Sequence, residues 1–306
     1  MNGTPSGRRV VLFLFTLCLS ACGGGDPGPG PSPTPEPLGP IPTLLSPVNN
    51  EQATSDSPTF TARNAQGFDQ GQANYTFRLA TASGQREIAS TTVPAGSSRT
   101  SLTFASALPR GMTLSWSVVA RSAASEVASS TAAFRTAAVA CGAAASAYAK
   151  SVVEWFVPAC NLAQNIYNDP RDVLGPPDGG GMGPNNFFGF LSLGEKGYVT
   201  VDMEACATDL PGHDVRVHQM VSMEPVTLYA AGSPNGPFQL LAYRVPCGTR
   251  VPGGGGQRRY CDFDLGAAEV QEARYFKVED GELFPCPGGT TSEGADIDAV
   301  EILHLK

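Results

Sequence analysis

The sequence predicts an all-β chain in which two β-sandwich domains follow an N-terminal segment that cannot pack. Three observations lead to this prediction. Apolar and polar residues alternate with a period of two in many short runs after residue 43, which is typical of strands buried on one face. Turn-forming residues separate these runs, and no run has convincing helical periodicity. The 306 residues are also enough for two domains.

Residues 1–21 have the layout of an export signal. Two arginines precede the mostly apolar run Val10–Leu19, which is too short to span a bilayer. The stretch "LSAC" that ends at Cys22 resembles the lipobox of bacterial lipoproteins. The resemblance implies cleavage before Cys22, acylation of its thiol and anchoring in a membrane of the bacterial cell envelope, on the extracytoplasmic side. The alternative is an ordinary secretory signal cut near Ala21, with Cys22 left as a spare thiol.

Residues 22–42 are predicted to be a linker between the lipidated cysteine and the first domain. The stretch 23–42 contains eight prolines interspersed with glycines and has almost no large side chains. Proline-rich chain of this composition is semi-rigid and extends by about 3.1 Å per residue, so it would reach on the order of 60 Å. We therefore expect a stalk that holds the folded domains away from a membrane.

Residues 43–138 are predicted to form the first sandwich. The run "NYTFRLA" places Tyr75, Phe77 and Leu79 on one face, and "TLSWSVVA" does the same for Leu114, Trp116 and Val118. The segment has no histidine, no cysteine and no cluster of acidic residues, so it contains no recognisable catalytic constellation. The stretches "PTLLSP", "LPRGMTLSWSVVA" and "AAFRT" resemble fibronectin type III-like modules of bacterial surface proteins. That resemblance implies a spacer or binding module.

Residues 141–306 are predicted to form a second, jelly-roll sandwich. Eight runs have the length and composition of strands. They are "YAKSVVEWFV", "GYVTVDM", "DVRVHQM", "EPVTLYAAG", "FQLLAYRV", "CDFDLG", "ARYFKVED" and "DAVEILHL". The ordered series "VLGPPDGG", "FLSLGEKGYVTVDM", "VTLYAAGSPNGPF" and "DIDAVEIL" resembles galactose-binding-domain-like (discoidin-type) sandwiches of bacterial surface proteins. That resemblance implies recognition of a ligand by loops, with a structural calcium ion in many members.

Charge and cysteine content differ sharply between the two segments. Residues 43–136 carry a net charge of +2, whereas residues 141–306 carry −10, which disfavours binding of nucleic acid. Six cysteines remain once Cys22 and the signal are set aside, and an exported protein retains disulfides, so three bridges are expected. These cysteines are Cys141, Cys160, Cys206, Cys247, Cys261 and Cys286. Of 15 pairings, the short loops favour Cys141–Cys160 and Cys247–Cys261, which would leave Cys206–Cys286.

The carboxylates near the C-terminus suggest a metal site. Asp298 and Glu301 belong to the last strand, and the loop "NDPRDVLGPPDGG" supplies Asp169 and Asp178. Oxygen ligands of this kind suit Ca²⁺, so a structural calcium ion held by these four residues is one prediction. The alternative is that Asp296 and Asp298 cap a turn while Glu301 pairs with an arginine such as Arg274.

Two further groups are candidates for ligand binding. Alternation places Asp214, Arg216 and His218 on one face of a strand, where they could hydrogen-bond sugar hydroxyls; the alternative is an ordinary solvated face. Phe187 and Phe188, near Phe190, lie beside a glycine-rich loop and would form a sugar-stacking patch if exposed, although at least one of the three is expected in the core.

No signature of a hydrolase or a nucleotide-binding protein occurs in the sequence, so we expect a non-enzymatic protein. The leading expectation is a membrane-anchored binding protein that recognises carbohydrate or another surface polymer through its second sandwich. The alternatives are a structural or assembly lipoprotein that binds another envelope protein, and an uncharacterised hydrolase.

Overall fold

The computed structural model describes residues 39–143, 146–158, 167–178, 189–194, 196–220, 224–251, 258–281 and 294–306. The predicted all-β class is confirmed, because regular structure in these ranges consists of strands and two single-turn 3-10 helices, Pro170–Val173 and Leu265–Ala268. None of the described segments forms a helix that is long and apolar enough to cross a membrane.

The first sandwich consists of two facing sheets. Its strands are β1 (Thr43–Ser46), β2 (Glu51–Gln52), β3 (Thr59–Arg63), β4 (Ala73–Thr81), β5 (Glu87–Pro94), β6 (Arg99–Thr103), β7 (Thr113–Ser122), β8 (Glu126–Ala128) and β9 (Ala132–Arg135). One sheet has the order β1-β3-β6, and the other has the order β2-β9-β7-β4-β5 with β8 paired to β7. Every pair is antiparallel except β2 and β9.

Aromatic residues on the inward positions fill the space between these two sheets. Trp116 of β7 stacks on Phe77, with ring centroids 6.0 Å apart, and meets Phe60 edge-on at 5.1 Å. The Trp116 indole N–H donates to the carbonyl oxygen of Pro47 at 2.6 Å, so its one polar atom is paired although the side chain is buried. The period-two pattern therefore produced the core that the sequence predicts.

The second sandwich also has two sheets, each of five described strands. The strands are β10 (Ser151–Phe156), β11 (Leu191–Ser192), β12 (Tyr198–Thr208), β13 (Val215–Met220), β14 (Pro225–Ala231), β15 (Gln239–Pro246), β16 (Thr249–Arg250), β17 (Arg258–Phe263), β18 (Glu272–Asp280) and β19 (Asp296–Ile302). The orders are β10-β12-β18-β14-β15 and β11-β19-β13-β17-β16, all antiparallel. Each of the eight predicted runs contains a strand; β11 and β16, of two residues each, were not predicted.

The two sandwiches meet at the turn around Gly111, which lies just before β7. The carbonyl oxygen of Gly111 accepts the N–H groups of Gln271 and Glu272 at 2.8 and 3.1 Å. Gly111 has φ 71°, and a Cβ atom there would lie 2.4 Å from the carbonyl oxygen of Glu272. Nearby, the Glu269 carboxylate accepts the backbone N–H and the hydroxyl of Ser83 at 2.9 and 2.6 Å. The junction is therefore a hydrogen-bonded contact.

Two disulfide bonds lie among the described residues, and one of them differs from the prediction. Cys247 is bonded to Cys261, as the short loop suggested. Cys141, however, is bonded to Cys206 on β12, so the predicted pairs Cys141–Cys160 and Cys206–Cys286 are wrong. The physical reason is that the segment leading into the second sandwich lies beside β12: Gly142 N–H donates to the carbonyl oxygen of Glu204 at 2.6 Å. Cys160 and Cys286 lie outside the described residues, as do Cys22, the predicted signal and residues 22–38 of the predicted linker.

Candidate functional site: an aromatic face of the second sandwich

The outer face of the sheet β10-β12-β18-β14-β15 carries several aromatic side chains. On β12, alternation turns Val199 and Val201 into the core and leaves Tyr198 and Thr200 on the opposite side. Residues paired across neighbouring strands lie on the same face of a sheet, so the register identifies the neighbours of these two residues.

Two adjacent rows of side chains cross this face. The first row runs from Phe156 on β10 through Tyr198 and Glu279 to Thr227 on β14. The second row consists of Glu154, Thr200, Lys277, Tyr229 and Leu240. Tyr243 on the next strand, β15, is exposed and lies close enough to Tyr229 to contribute to its raised pKa. We call Phe156, Tyr198, Tyr229 and Tyr243, together with Glu154, Thr200, Lys277 and Glu279, the aromatic face.

Hydrogen bonds and ring contacts hold the side chains of the aromatic face in place. Tyr198 donates its hydroxyl to Glu154 at 2.7 Å, and the Phe156 ring lies 6.0 Å from the Tyr198 ring. The Lys277 ammonium lies 4.1 Å from the centre of the Tyr198 ring and 2.6 Å from the Glu279 carboxylate. The Tyr198 ring is therefore oriented before any ligand arrives, which reduces the entropy lost on binding.

Solvent reaches the two ends of the aromatic face most easily. Phe156 is 50% exposed and Tyr243 is 62% exposed, although large apolar rings are usually buried. Tyr198 and Tyr229, between them, are half-buried. Because neighbouring strands are about 4.8 Å apart, Tyr198 on β12 and Tyr229 on β14 are separated by about 10 Å across the sheet.

The pKa of each half-buried tyrosine is raised above its usual value. The hydrogen bond to Glu154 raises the pKa of Tyr198 above its usual value. Burial, with the nearby Glu279 carboxylate, raises the pKa of Tyr229. A phenol is already neutral at physiological pH with its ordinary pKa near 10, so both tyrosines present uncharged rings to a ligand.

Thr200 lies at the centre of the aromatic face and has an unsatisfied hydroxyl. Its side chain is 2% exposed, between Glu154 on one neighbouring strand and Lys277 on the other. The hydroxyl oxygen has no hydrogen-bond partner among the described residues. A buried hydroxyl without a partner is unfavourable by about 1–3 kcal/mol. Because its oxygen is closed off from solvent, Thr200 is a cost to the fold at this point and offers no contact to a ligand.

Comparison with known proteins leaves the function to be argued from this geometry. No protein-family model and no curated protein matches the sequence. One solved structure that resembles this chain comes from work on the structural basis for the promiscuous specificity of carbohydrate-binding modules of the β-sandwich superfamily. Its sequence is 8% identical, and the TM-score is 0.23. The match covers 88% of this chain and 100% of that chain. The secreted serine protease VesC from Vibrio cholerae is 10% identical, with a TM-score of 0.22; the match covers 86% of this chain and 51% of the protease chain. Likenesses of this size assign no function.

The predicted trio on β13 does not form a solvated face. Arg216 donates to both carboxylate oxygens of Asp262, at 2.7 and 3.0 Å, and its guanidinium stacks 3.8 Å from the centre of the Tyr260 ring. His218 is 6% exposed, and Asp214 is fully buried just before β13. The alternative of an ordinary solvated face is therefore wrong, because cross-strand partners cover these residues.

Both carboxylate oxygens of Asp214 form hydrogen bonds with groups of the protein itself. One oxygen accepts the N–H of Leu210 at 3.1 Å and lies 2.9 Å from His304 Nδ1; the other accepts the N–H of Leu265 at 2.9 Å. Asp209 and Asp264 lie close by, but a cluster of acidic side chains is common without a metal ion. These hydrogen bonds fix the segments that flank β13, β17 and β19.

The four residues predicted to bind calcium do not converge on one point. Glu301 lies 2.8 Å from His218 Nε2 and accepts the Tyr148 hydroxyl at 3.1 Å, whereas Arg274 pairs with Asp202, so the alternative Glu301–Arg274 pair is wrong. Both oxygens of Asp169 accept hydrogen bonds from Arg171. The described geometry does not fit these residues as a ligand set for one ion.

Part of the predicted calcium loop does approach the last strand. Asp298 Oδ1 accepts the backbone N–H of Asp178 at 3.2 Å, and Asp172 has a raised pKa because of burial and the nearby carboxylates of Asp169 and Asp178. Asp296 and Asp298, which the alternative prediction assigns to capping a turn, are both buried within β19. Calcium dependence stays a prediction, and melting with and without a chelator tests it.

An irregularity in the pairing of β13 with β19 changes which face of the sheet the residues near the C-terminus occupy. The register pairs His218 with Ala299 and Gln219 with Ile297, so Asp298 is an extra residue in the strand. Ala299 and Ile297 consequently lie on opposite faces, although regular alternation predicts one face for both. Burial, together with the nearby Glu224 carboxylate, raises the pKa of Asp296 to about 7.

The phenylalanine patch is only partly within the described residues. Phe187 and Phe188 lie outside them. Phe190 is 3% exposed and stacks on Tyr167, with ring centroids 4.5 Å apart, which confirms that at least one of the three belongs to the core. The aromatic face could not be predicted from the sequence, although Tyr198, Tyr229 and Tyr243 occupy predicted strands, because their convergence depends on the order of strands that are distant in sequence.

Proposed function

We propose that the chain is a non-catalytic, envelope-anchored binding protein whose second sandwich recognises carbohydrate on the aromatic face. The observation that carries this proposal is the set of partly exposed rings that cross one sheet beside carboxylates, with the Tyr198 ring held in place by Glu154. Rings supply flat apolar surface for the faces of sugar rings, while polar groups placed between them hydrogen-bond the hydroxyls.

The separation of the rings favours an extended ligand. Tyr198 and Tyr229 are about 10 Å apart across the strands, and Phe156 and Tyr243 extend the face beyond them. A ligand that contacts all four rings must therefore be longer than a single sugar. An oligosaccharide that runs across the strands meets this requirement.

The proposed location is the extracytoplasmic side of an envelope membrane. Acylation of Cys22 would attach the chain to an envelope membrane, and the proline-rich stretch would hold the sandwiches away from it. The two disulfides support an oxidising, extracytoplasmic location. The first sandwich would then act as a spacer that carries the binding domain.

A glycan array tests the proposed function. The probe is the chain from Gly23 onward, which lacks only the predicted signal and anchor. We expect binding to one class of oligosaccharide, and we expect Phe156→Ala and Tyr243→Ala each to weaken it by about fivefold, since each removes an exposed apolar contact. Leu210→Ala is the matched control, because Leu210 is 47% exposed and lies outside the aromatic face.

A protein partner is the second candidate function. It is favoured by the edge strand β10, on which Val153 and Trp155 are 41% and 39% exposed, because an apolar sheet edge is a common docking site. Silence across the array, with an envelope protein recovered by cross-linking in cells and lost in Trp155→Ser, would replace the carbohydrate proposal with this one.

A further inference from the structure

We propose that the aromatic face selects saccharides that carry free amines, such as oligomers of glucosamine, over their N-acetylated and acidic counterparts. This inference rests on the proposed function and adds the charge of the ligand to it. It is carried by the way in which the face already binds one ammonium group of the chain itself.

Lys277 shows how an ammonium group fits this surface. Its Nζ lies 2.6 Å from the Glu279 carboxylate, 4.1 Å from the centre of the Tyr198 ring and 5.9 Å from that of Tyr229. A cation within about 6 Å of an aromatic ring face is attracted to it, and the carboxylate adds a direct ion pair. The ammonium is thus held by one acid and two rings.

Glu154 presents a similar arrangement on β10, two strands away from Lys277 and Glu279. It accepts the Tyr198 hydroxyl at 2.7 Å and lies on β10 beside Phe156, which is half exposed. Among the described residues Glu154 has no cationic partner. The pairing of a carboxylate with aromatic rings is therefore repeated at Glu154, with its charge available to a cation from outside the chain.

Phe156 places an exposed ring next to this carboxylate. It lies two residues after Glu154 on the same face of β10 and is 50% exposed. An amine-bearing sugar combines a cation for Glu154 with a ring face that can stack on Phe156. A bare lysine side chain supplies only the cation.

Overall charge favours the same ligands. Residues 141–306 carry a net charge of −10, and on the aromatic face the two acids outnumber the single lysine. An acidic polysaccharide would be repelled, while an amine-bearing one would be attracted at a distance comparable with the Debye length.

Calorimetric titration with glucosamine oligomers and N-acetylglucosamine oligomers of equal length tests the inference. We expect the glucosamine oligomer to bind more tightly. Glu154→Gln should weaken its binding by about three- to fivefold and that of the acetylated oligomer by less than about twofold, as suits an ion pair at an exposed site. Glu87→Gln, which removes one exposed negative charge from the first sandwich, is the matched control and should change neither.

The outcomes separate the inference from the proposed function. Equal affinity for both oligomers, with no effect of Glu154→Gln, overturns the amine preference; if Phe156→Ala still weakens binding, the proposed function stands. A Phe156→Ala variant that binds every oligomer as the parent does overturns both. Binding of a lysine homopolymer as tightly as the glucosamine oligomer, unaffected by Phe156→Ala, also overturns the inference, because charge alone would then explain attraction.

Discussion

Glu301 illustrates how one carboxylate fastens a loop segment to a sheet. It contacts His218 on the neighbouring strand and Tyr148 in the segment that precedes β10, and Tyr148 also forms a backbone bridge with Glu301. The hydrogen bond with His218 holds the pKa of Glu301 below its usual value despite partial burial. Sequence alone showed the acid but not its partners, since His218 and Glu301 are 83 positions apart.

Glu301→Gln should lower the free energy of unfolding at pH 7 by about 1.5–3 kcal/mol, the range for hydrogen bonds to a charged group. A carboxylate with a lowered folded pKa stabilises the fold above its unfolded pKa, near 4.3, and loses this contribution as pH falls through the folded pKa. The difference between variant and parent should therefore shrink at pH 3 in urea unfolding.

A matched control for this variant is Glu126→Gln, which removes an exposed carboxylate paired with Arg121. An exposed pair contributes about 0.2–1 kcal/mol, so this change should be small. If Glu301→Gln lowers the free energy of unfolding at pH 7 no more than Glu126→Gln does, the hydrogen bonds of Glu301 do not stabilise the fold as expected.

Asp296 should show the opposite pH dependence. Its folded pKa of about 7 means that the folded state binds a proton more tightly than the unfolded state, so wild-type stability falls as pH rises from about 4 to 7. Asp296→Asn cannot ionise. We expect the variant to gain stability relative to the parent across this range, by up to about 4 kcal/mol. Urea unfolding at pH 4, 6 and 8 measures this difference, and a difference that does not change with pH would contradict the assignment.

At the scale of elements, the strands were predictable but their partners were not. Each strand of the second sandwich that the sequence predicts alternates visibly, because half of its residues face a core. The aromatic face depends on the order β10-β12-β18-β14, which joins residues 156, 198, 279 and 227. The extra residue Asp298 in β19 likewise left no signal in the apolar pattern, because Val300 and Ile302, which follow it, keep the regular alternation on one face.

The Cys141–Cys206 bridge fixes the segment between the sandwiches to β12. It closes a loop of 65 residues, for which the chain-entropy model gives about 4 kcal/mol of stabilisation. Replacing both cysteines by serine should lower the melting temperature more than the equivalent change at Cys247 and Cys261, which close a loop of 14 residues. Calorimetry of the two double variants makes the comparison. Equal losses would show that loop length does not govern the effect.

At the scale of the whole molecule, the junction should make the two sandwiches unfold together. Gly111 adopts a left-handed conformation and closely approaches Glu272, so Gly111→Ala adds both backbone strain and a clash. We expect a single calorimetric transition for the parent and two for this variant. Gly67→Ala is the control, because Gly67 also has a positive φ but open space around it. A parent that already melts in two steps would contradict a cooperative junction.

The most direct test of the account is the location of bound oligosaccharide on the second sandwich. Backbone amide chemical shifts, followed by NMR during titration with a saccharide selected from the array, locate it without any substitution. If the ligand binds on the aromatic face, the largest chemical-shift changes should fall on Glu154–Phe156, Tyr198–Thr200, Lys277–Glu279 and Thr227–Tyr229. Changes confined to the connecting segments Asp169–Asp178 or Asp209–Asp214, with the sheet unaffected, would contradict binding on the aromatic face.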